Sequence, residues 1–253
     1  MERNIFAPLS MRDSSYDSTE RIVPRRVTGY DKKGSNYVNC EYLSMTHPHA
    51  AGALISTVDD FAKWDEALYT NKLVEQESLA KAWTSFRLNN GQLTNYGYGW
   101  LVTTLEDERM LSHSGGVNGF ACYTVRLPDA KVYVAILSNR ETGAPGNLAN
   151  RIAAKIAGIE IREPVAIQLP SLEKYVGVYG ANSKNDFHVA LENGSLFFRR
   201  GSKPKQEILP LDQRHFFFKE RPSSRLDFIL REDSVDALVV RSWLGPDEEA
   251  KKN

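Results

Sequence analysis

The chain has 253 residues, 42% hydrophobic and 25% charged, with 32 Lys+Arg balanced by 32 Asp+Glu. That balance is globular and excludes disorder as the default. Zero formal charge argues against a phosphate-neutralising surface, so nucleic acid is not expected as a partner. No apolar run nears the roughly 18 residues of a membrane span. Met1 is followed by Glu2, Arg3 and Asn4 without an apolar stretch, so no leader peptide is visible and the compartment stays open. Cys40 and Cys122 form neither a disulfide framework nor a metal-type pair, and no cofactor is expected.

In chain order, the first helix predicted follows Ser56-Thr57-Val58-Asp59-Asp60, with Phe61, Trp64 and Leu68 on one face. Ser56 or Thr57 is the natural N-cap, and Asp59 and Asp60 suit the positive end of the helix dipole. Strands are predicted at Arg109–Gly115, Phe120–Leu127 and Lys131–Ser138. Their links, Val117-Asn118-Gly119 and Pro128-Asp129-Ala130, are short enough for an antiparallel meander. A helix over Asn147–Ile156 follows. An α+β class results, an antiparallel sheet covered by helices.

The pattern changes near residue 165. Short strand candidates then repeat at Tyr175–Tyr179, Phe187–Leu191, Ser195–Arg199, Glu207–Leu211, His215–Lys219, Leu226–Leu230 and Asp236–Trp243, with turn pairs such as Asn193-Gly194 between them. Seven such strands predict a small all-β barrel or sandwich. Pro164 and Pro170 bracket a linker, which places the domains at 1–163 and 164–253.

The stretch Ser112-His113-Ser114-Gly115-Gly116-Val117-Asn118-Gly119-Phe120 is the densest in chemistry. Adjacent glycines at a strand end mark a close backbone approach. Beside them stand an imidazole and two hydroxyls, and backbone N–H groups there suit an oxyanion. A glycine-rich turn with an incidental histidine fits the same residues.

This segment resembles the third motif of the serine β-lactamase and penicillin-binding-protein superfamily, in its His-x-Gly form. Ile5-Phe6-Ala7-Pro8-Leu9-Ser10-Met11-Arg12-Asp13 resembles the family's "IF-x-PLGM-x-DT" stretch, with Ser10 in place of glycine. Arg26-Val27-Thr28-Gly29-Tyr30, Ala51–Asp60 and Tyr96-Gly97-Tyr98-Gly99-Trp100 follow in family order, and Tyr175-Val176-Gly177-Val178-Tyr179 resembles the opening of a lipocalin-like barrel appended to many members. The resemblance implies that His113 binds an anionic group or relays protons. It implies that Ser114 offers a hydroxyl to the substrate, that the Gly116 N–H forms half of an oxyanion hole, and that Gly115 and Asn118 help to bind substrate.

The family places Ser-x-x-Lys and Tyr-x-Asn before the "IF-x-PLGM" stretch, which here opens the chain. Covalent catalysis needs that activated serine. Three other Ser-x-x-Lys strings occur, Ser78–Lys81, Ser171–Lys174 and Ser202–Lys205, with Tyr37-Val38-Asn39 and Tyr69-Thr70-Asn71. All five fall in the wrong order and read as decoys. His47-Pro48-His49 lacks a zinc-spaced partner and reads as a loop, and Cys122 reads as a small buried residue. The resemblance thus implies the C-terminal portion of a β-lactamase-like serine hydrolase, acting on a β-lactam, a D-amino-acid peptide or an ester in the complete protein and inactive alone. The rival is a non-catalytic ligand-binding protein of this fold. Without the family's N-terminal strands, the Lys131–Ser138 edge is predicted to self-associate or to recruit a complementing N-terminal half.

Overall fold

A computed structural model of the chain describes residues 1–18, 20–141, 145–161, 166–180, 185–240 and 247–253. Contacts divide the chain into two compact units, Met1–Phe86 with Tyr96–Ile161, and Arg87–Asn95 with Arg162–Asn253. Pro164, in the expected linker, and Trp243, in the last expected strand, lie outside the described residues. No helix among the described residues is long and apolar enough to cross a membrane.

The first unit opens with a helical turn, Glu2–Phe6, that continues as α1 (Ala7–Leu9). Ser10 ends it in the left-handed region, at φ 56°. The apolar side chains of this stretch, Phe6, Leu9 and Met11, are buried together with Ala67. A short strand β1 (Ser15–Tyr16), a hairpin of β2 (Tyr30–Lys33) and β3 (Asn36–Asn39), and β4 (Leu54–Ile55) come next, with β1 pairing β4.

Helix α2 (Val58–Ala67) starts as the capping pattern predicts, with Thr57 accepting from the Asp60 N–H at 3.3 Å. Asp60 itself does more than complement the helix dipole. Its carboxylate is fully buried and accepts from the Asp13 N–H (2.9 Å), the Ser14 hydroxyl (2.8 Å) and Lys63 Nζ (2.7 Å). Burial works to raise its pKa, but those three donors outweigh burial and hold it below the usual carboxylate range. Asp60 therefore ties the segment after α1 onto α2. A shorter helix, α3 (Gln76–Ala82), follows.

The sheet is an antiparallel meander of β5 (Leu101–Leu105), β6 (Glu108–Val117), β7 (Phe120–Leu127) and β8 (Val132–Ser138). Three strands match the expected ones within a few residues, and β5 is an addition. Period-two alternation puts Tyr123, Val125 and Leu127 of β7 on one face beside Val132 and Val134 of β8. Helix α4 (Pro145–Ala157) covers that face with Ala149, Ala153 and Ala154, whose small side chains let its backbone come close. Each large side chain buried there contributes roughly 1.5–3 kcal/mol.

The opposite face is covered at one end only. There Trp64 of α2 stacks on Trp100 at 5.5 Å, over buried Leu111. Arg126 is fully buried beside them, its guanidinium 4.0 Å from the Tyr69 ring and 4.9 Å from Trp83. Arg126 Nε lies 3.3 Å from Asp65 Oδ1, an ion-pair contact. The far end of this face carries His113 and Gly115 opposite Thr124 and Cys122, then Ala135 and Leu137. His113 is exposed there, as is Leu137 at 41%.

The second unit contains an eight-stranded up-and-down sheet in sequence order: β9 (Gly177–Tyr179), β10 (Phe187–Glu192), β11 (Ser195–Arg200), β12 (Gln206–Pro210), β13 (His215–Phe218), β14 (Arg221–Arg231), β15 (Ser234–Val240) and β16 (Glu248–Lys251). The first and last strands meet. Gly180 N–H donates to the Lys251 carbonyl and Asn253 N–H to that of Val178, both at 2.9 Å. The choice between barrel and sandwich is thus resolved as a barrel, with one strand more than the seven expected. Residues Glu173–Tyr175 form a 3-10 turn where the sequence suggests the beginning of the first strand.

Tyr175, Phe216 and Phe228 fill the barrel core, each pair of rings 4.9 Å apart. Tyr179 donates to the Tyr175 carbonyl at 2.6 Å and Tyr175 to that of Gln213 at 2.8 Å, so neither phenol is stranded. Among the described residues the interior is filled by apolar side chains.

Candidate active site

The predicted site residues lie on the last half of β6 and the turn after it. Strand β5 pairs with β6 only up to Leu101↔Ser112. From His113 to Val117 the strand keeps β7 on one side and, among the described residues, has no strand on the other. His113, Ser114, Gly115 and Gly116 are all exposed along this rim, whereas Ser112 just before them is buried.

Local packing explains the glycines. A Cβ on Gly115 would stand 2.7 Å from the Cys122 sulfur across the strand pair. Gly119 closes the β6–β7 turn at φ +76°, and a Cβ there would meet Cys40 Sγ at 2.5 Å. Both positions exclude side chains for steric reasons. Gly116, opposite Ala121, is less confined, its nearest neighbour being the Phe120 carbonyl at 3.6 Å.

His113 is held at both ring nitrogens. Nδ1 lies 2.7 Å from the Ser114 carbonyl oxygen, and Nε2 lies 2.7 Å from the Tyr96 hydroxyl. The rings of Tyr96 and His113 meet edge to face at 5.8 Å. Tyr96 belongs to the Tyr-Gly-Tyr-Gly-Trp string, but its contact with the histidine is not visible in the sequence. Asn118 donates from Nδ2 to the Glu41 carbonyl at 3.3 Å and so braces the turn against the loop after β3.

The decoys are accounted for by geometry. Ser78 is exposed on α3, and Lys81 pairs with Glu77 at 2.9 Å. Ser171 donates to Glu173 Oε2 at 2.7 Å, and Lys205 pairs with Glu192. Among the described residues no serine of the three strings hydrogen-bonds its own lysine. Tyr37 accepts from Arg140 Nη1 at 2.7 Å, and Tyr69 faces Arg126. His49 packs edge-on against Tyr16. Burial pushes the Cys122 thiol up, away from a nucleophile's range, although a hydrogen bond from the Gly115 backbone partly opposes it.

An antiparallel sheet covered by a helix is the α+β arrangement the sequence resemblance implies, and the His-Ser-Gly-Gly stretch lies along the rim of that sheet. Residues 1–158 match the family model described as Beta-lactamase, and the chain belongs to that family. It is 26% identical over 281 residues to penicillin-binding protein 4* of Bacillus subtilis (strain 168), covering 99% of this chain and 60% of that protein. Its fold matches the octameric penicillin-binding protein homologue from Pyrococcus abyssi with a TM-score of 0.56 at 21% identity, over 99% of this chain and 59% of that one. It also matches D-amino acid amidase from Ochrobactrum anthropi SV3, with a TM-score of 0.52 at 18% identity, over 62% and 52% of the two chains. The chain spans about 60% of the length of the first two relatives.

Proposed function

We propose that this chain supplies the His-x-Gly wall of a serine hydrolase site that cleaves an amide or ester through an acyl-enzyme. The single observation that carries this reading is the open rim of β6 from His113 to Val117, beginning where β5 ends its register at Ser112. An extended, peptide-like substrate finds backbone donors and acceptors along such an edge. In this reading the Gly116 N–H faces the developing oxyanion and Ser114 offers its hydroxyl to the substrate carboxylate or carbonyl. His113 binds the anionic group or relays protons, and Gly115 and Asn118 keep the rim flat and braced. The nucleophile of the complete site comes from the part of the relatives' length that this chain does not span. Residues 1–163 are then a portion of the catalytic domain and 164–253 the appended barrel.

The substrate class is a β-lactam, a D-amino-acid amide or peptide, or a small ester. Similarity to penicillin-binding protein 4* and to a D-amino acid amidase supports that range. The test is His113→Ala in the complete enzyme. It lowers kcat/KM by about 10- to 1000-fold, the range for one electrostatic or acid–base group. An unchanged value returns His113 to an incidental role.

The second reading, a ligand-binding protein without turnover, is favoured by one observation: among the described residues, no Ser-x-x-Lys string brings its serine and lysine together. Equilibrium binding of a D-amino-acid amide to the chain without hydrolysis is its signature. The open side of β8 supports a further proposal, that this strand pairs with a second copy or with a complementing N-terminal half. The octameric assembly named for the Pyrococcus relative agrees with self-association.

A further inference from the structure

We propose that Tyr96 is a positioning residue for His113, fixing which imidazole nitrogen carries the proton. The inference rests on the reading of His113 as a site residue only for its functional meaning, because the geometry is independent of it. A carbonyl oxygen has no proton to give. Nδ1 of His113, 2.7 Å from the Ser114 carbonyl, is therefore the protonated nitrogen of the neutral ring. Nε2 then carries the lone pair, and the Tyr96 hydroxyl, 2.7 Å away, donates to it. The edge-to-face ring contact at 5.8 Å sets the angle between the two groups.

The consequence concerns proton traffic. In the neutral ring Nε2 is the one nitrogen able to take a proton, and the Tyr96 hydroxyl occupies it. A proton reaching the imidazole on that side passes through the phenol, which gives its own proton to Nε2 and takes one from the donor beyond. The phenol oxygen exchanges one O–H for another, Nε2 gains an N–H so that the ring becomes an imidazolium, and the proton comes from a water or a substrate group beyond the phenol. Tyr96 and His113 stand 17 residues apart in the sequence and on different segments, one before β5 and one on β6.

The test is the imidazole tautomer, read by long-range proton–nitrogen correlation on the 15N-labelled chain with its histidines neutral. The expected wild-type spectrum shows His113 protonated at Nδ1. Tyr96→Phe keeps the ring and loses the hydroxyl, and shifts the tautomer ratio about 2- to 10-fold toward the Nε2–H form, the scale of one hydrogen bond. His49, packed edge-on against Tyr16 in the same unit, keeps its signals and reports an intact fold. A wild-type His113 protonated at Nε2 overturns the proposal, and so does a Tyr96→Phe ratio equal to wild type. If the variant misfolds, a scalar coupling across the Tyr96 hydroxyl–Nε2 hydrogen bond in the wild-type chain decides: its presence supports the proposal and its absence overturns it. A shifted tautomer together with an inert His113→Ala would leave the positioning intact and defeat only the hydrolase reading.

Discussion

The barrel and the four-stranded sheet solve the same problem in opposite ways. Every strand of the barrel has two neighbours, because the backbone bonds at Gly180 and Asn253 join its ends, and its aromatic core is closed. The sheet of the first unit has one face packed against α4, the other covered at one end only, and a β8 whose outer side has no strand partner among the described residues. A closed barrel removes edges and needs nothing more, whereas an open sheet leaves groups for something else to satisfy. In this chain two of those open places, the half of β6 beyond β5 and the uncovered end of the face, meet at the candidate site. His113 sits where both strand pairing and face coverage run out.

The largest effects should come from breaking what is closed. Phe228→Ala removes a ring packed against Tyr175, Tyr179 and Phe216, and should cost about 3–5 kcal/mol in denaturant unfolding of the barrel. Asp65→Ala leaves the buried Arg126 without its counter-charge and should cost about 3–5 kcal/mol in the first unit. A much smaller loss would show that water reaches Arg126.

Asp60→Ala should cost about 1.5–3 kcal/mol, the scale of hydrogen bonds to a charged group, because Lys63, Ser14 and the Asp13 N–H lose their common acceptor. The pH dependence has a definite sign. A carboxylate whose pKa is lowered on folding stabilises the protein above its ordinary value of 3.8. That contribution is lost as pH falls through the folded value. Acid titration of the melting temperature should therefore show a step below about pH 4 that Asp60→Ala abolishes. The smallest effect on stability, within about 0.5 kcal/mol, is expected of Leu137→Lys, on the uncovered part of the sheet. It should nevertheless reduce self-association in sedimentation, by placing a charge beside the open strand. Unchanged association would move the contact elsewhere.

Much of this contrast is legible in the sequence, for identifiable reasons. Val132-Tyr133-Val134-Ala135-Ile136-Leu137 and the turn residues Asn118-Gly119 and Pro128-Asp129 specify the meander locally. So do Asn193-Gly194 and the alternating Phe-rich runs of the barrel. Strand β16 is hidden because Glu248-Glu249-Ala250-Lys251 has no apolar alternation, and backbone bonds to β15 and β9 alone make it a strand. Strand β5 is hidden behind the Tyr-Gly-Tyr-Gly-Trp string, whose glycines mask the start of a strand. Asp60 resembles a helix cap because its real partners Ser14 and Asp13 lie 46 and 47 residues away. The site is legible only through resemblance. Nothing in Ser112–Phe120 announces that Tyr96 holds the histidine, since that contact exists only once β5 folds back on β6.

The proposed function gives this chain one wall of a hydrolase site whose nucleophile is supplied from outside residues 1–253. It is tested most directly by exposing the purified chain to a fluorophosphonate probe and to a β-lactam, then mapping adducts by mass spectrometry. The account predicts no acylated or phosphonylated serine, at Ser78 or anywhere else, and no turnover of nitrocefin or p-nitrophenyl acetate. Stoichiometric modification of a single serine, abolished by unfolding the chain first, would contradict it.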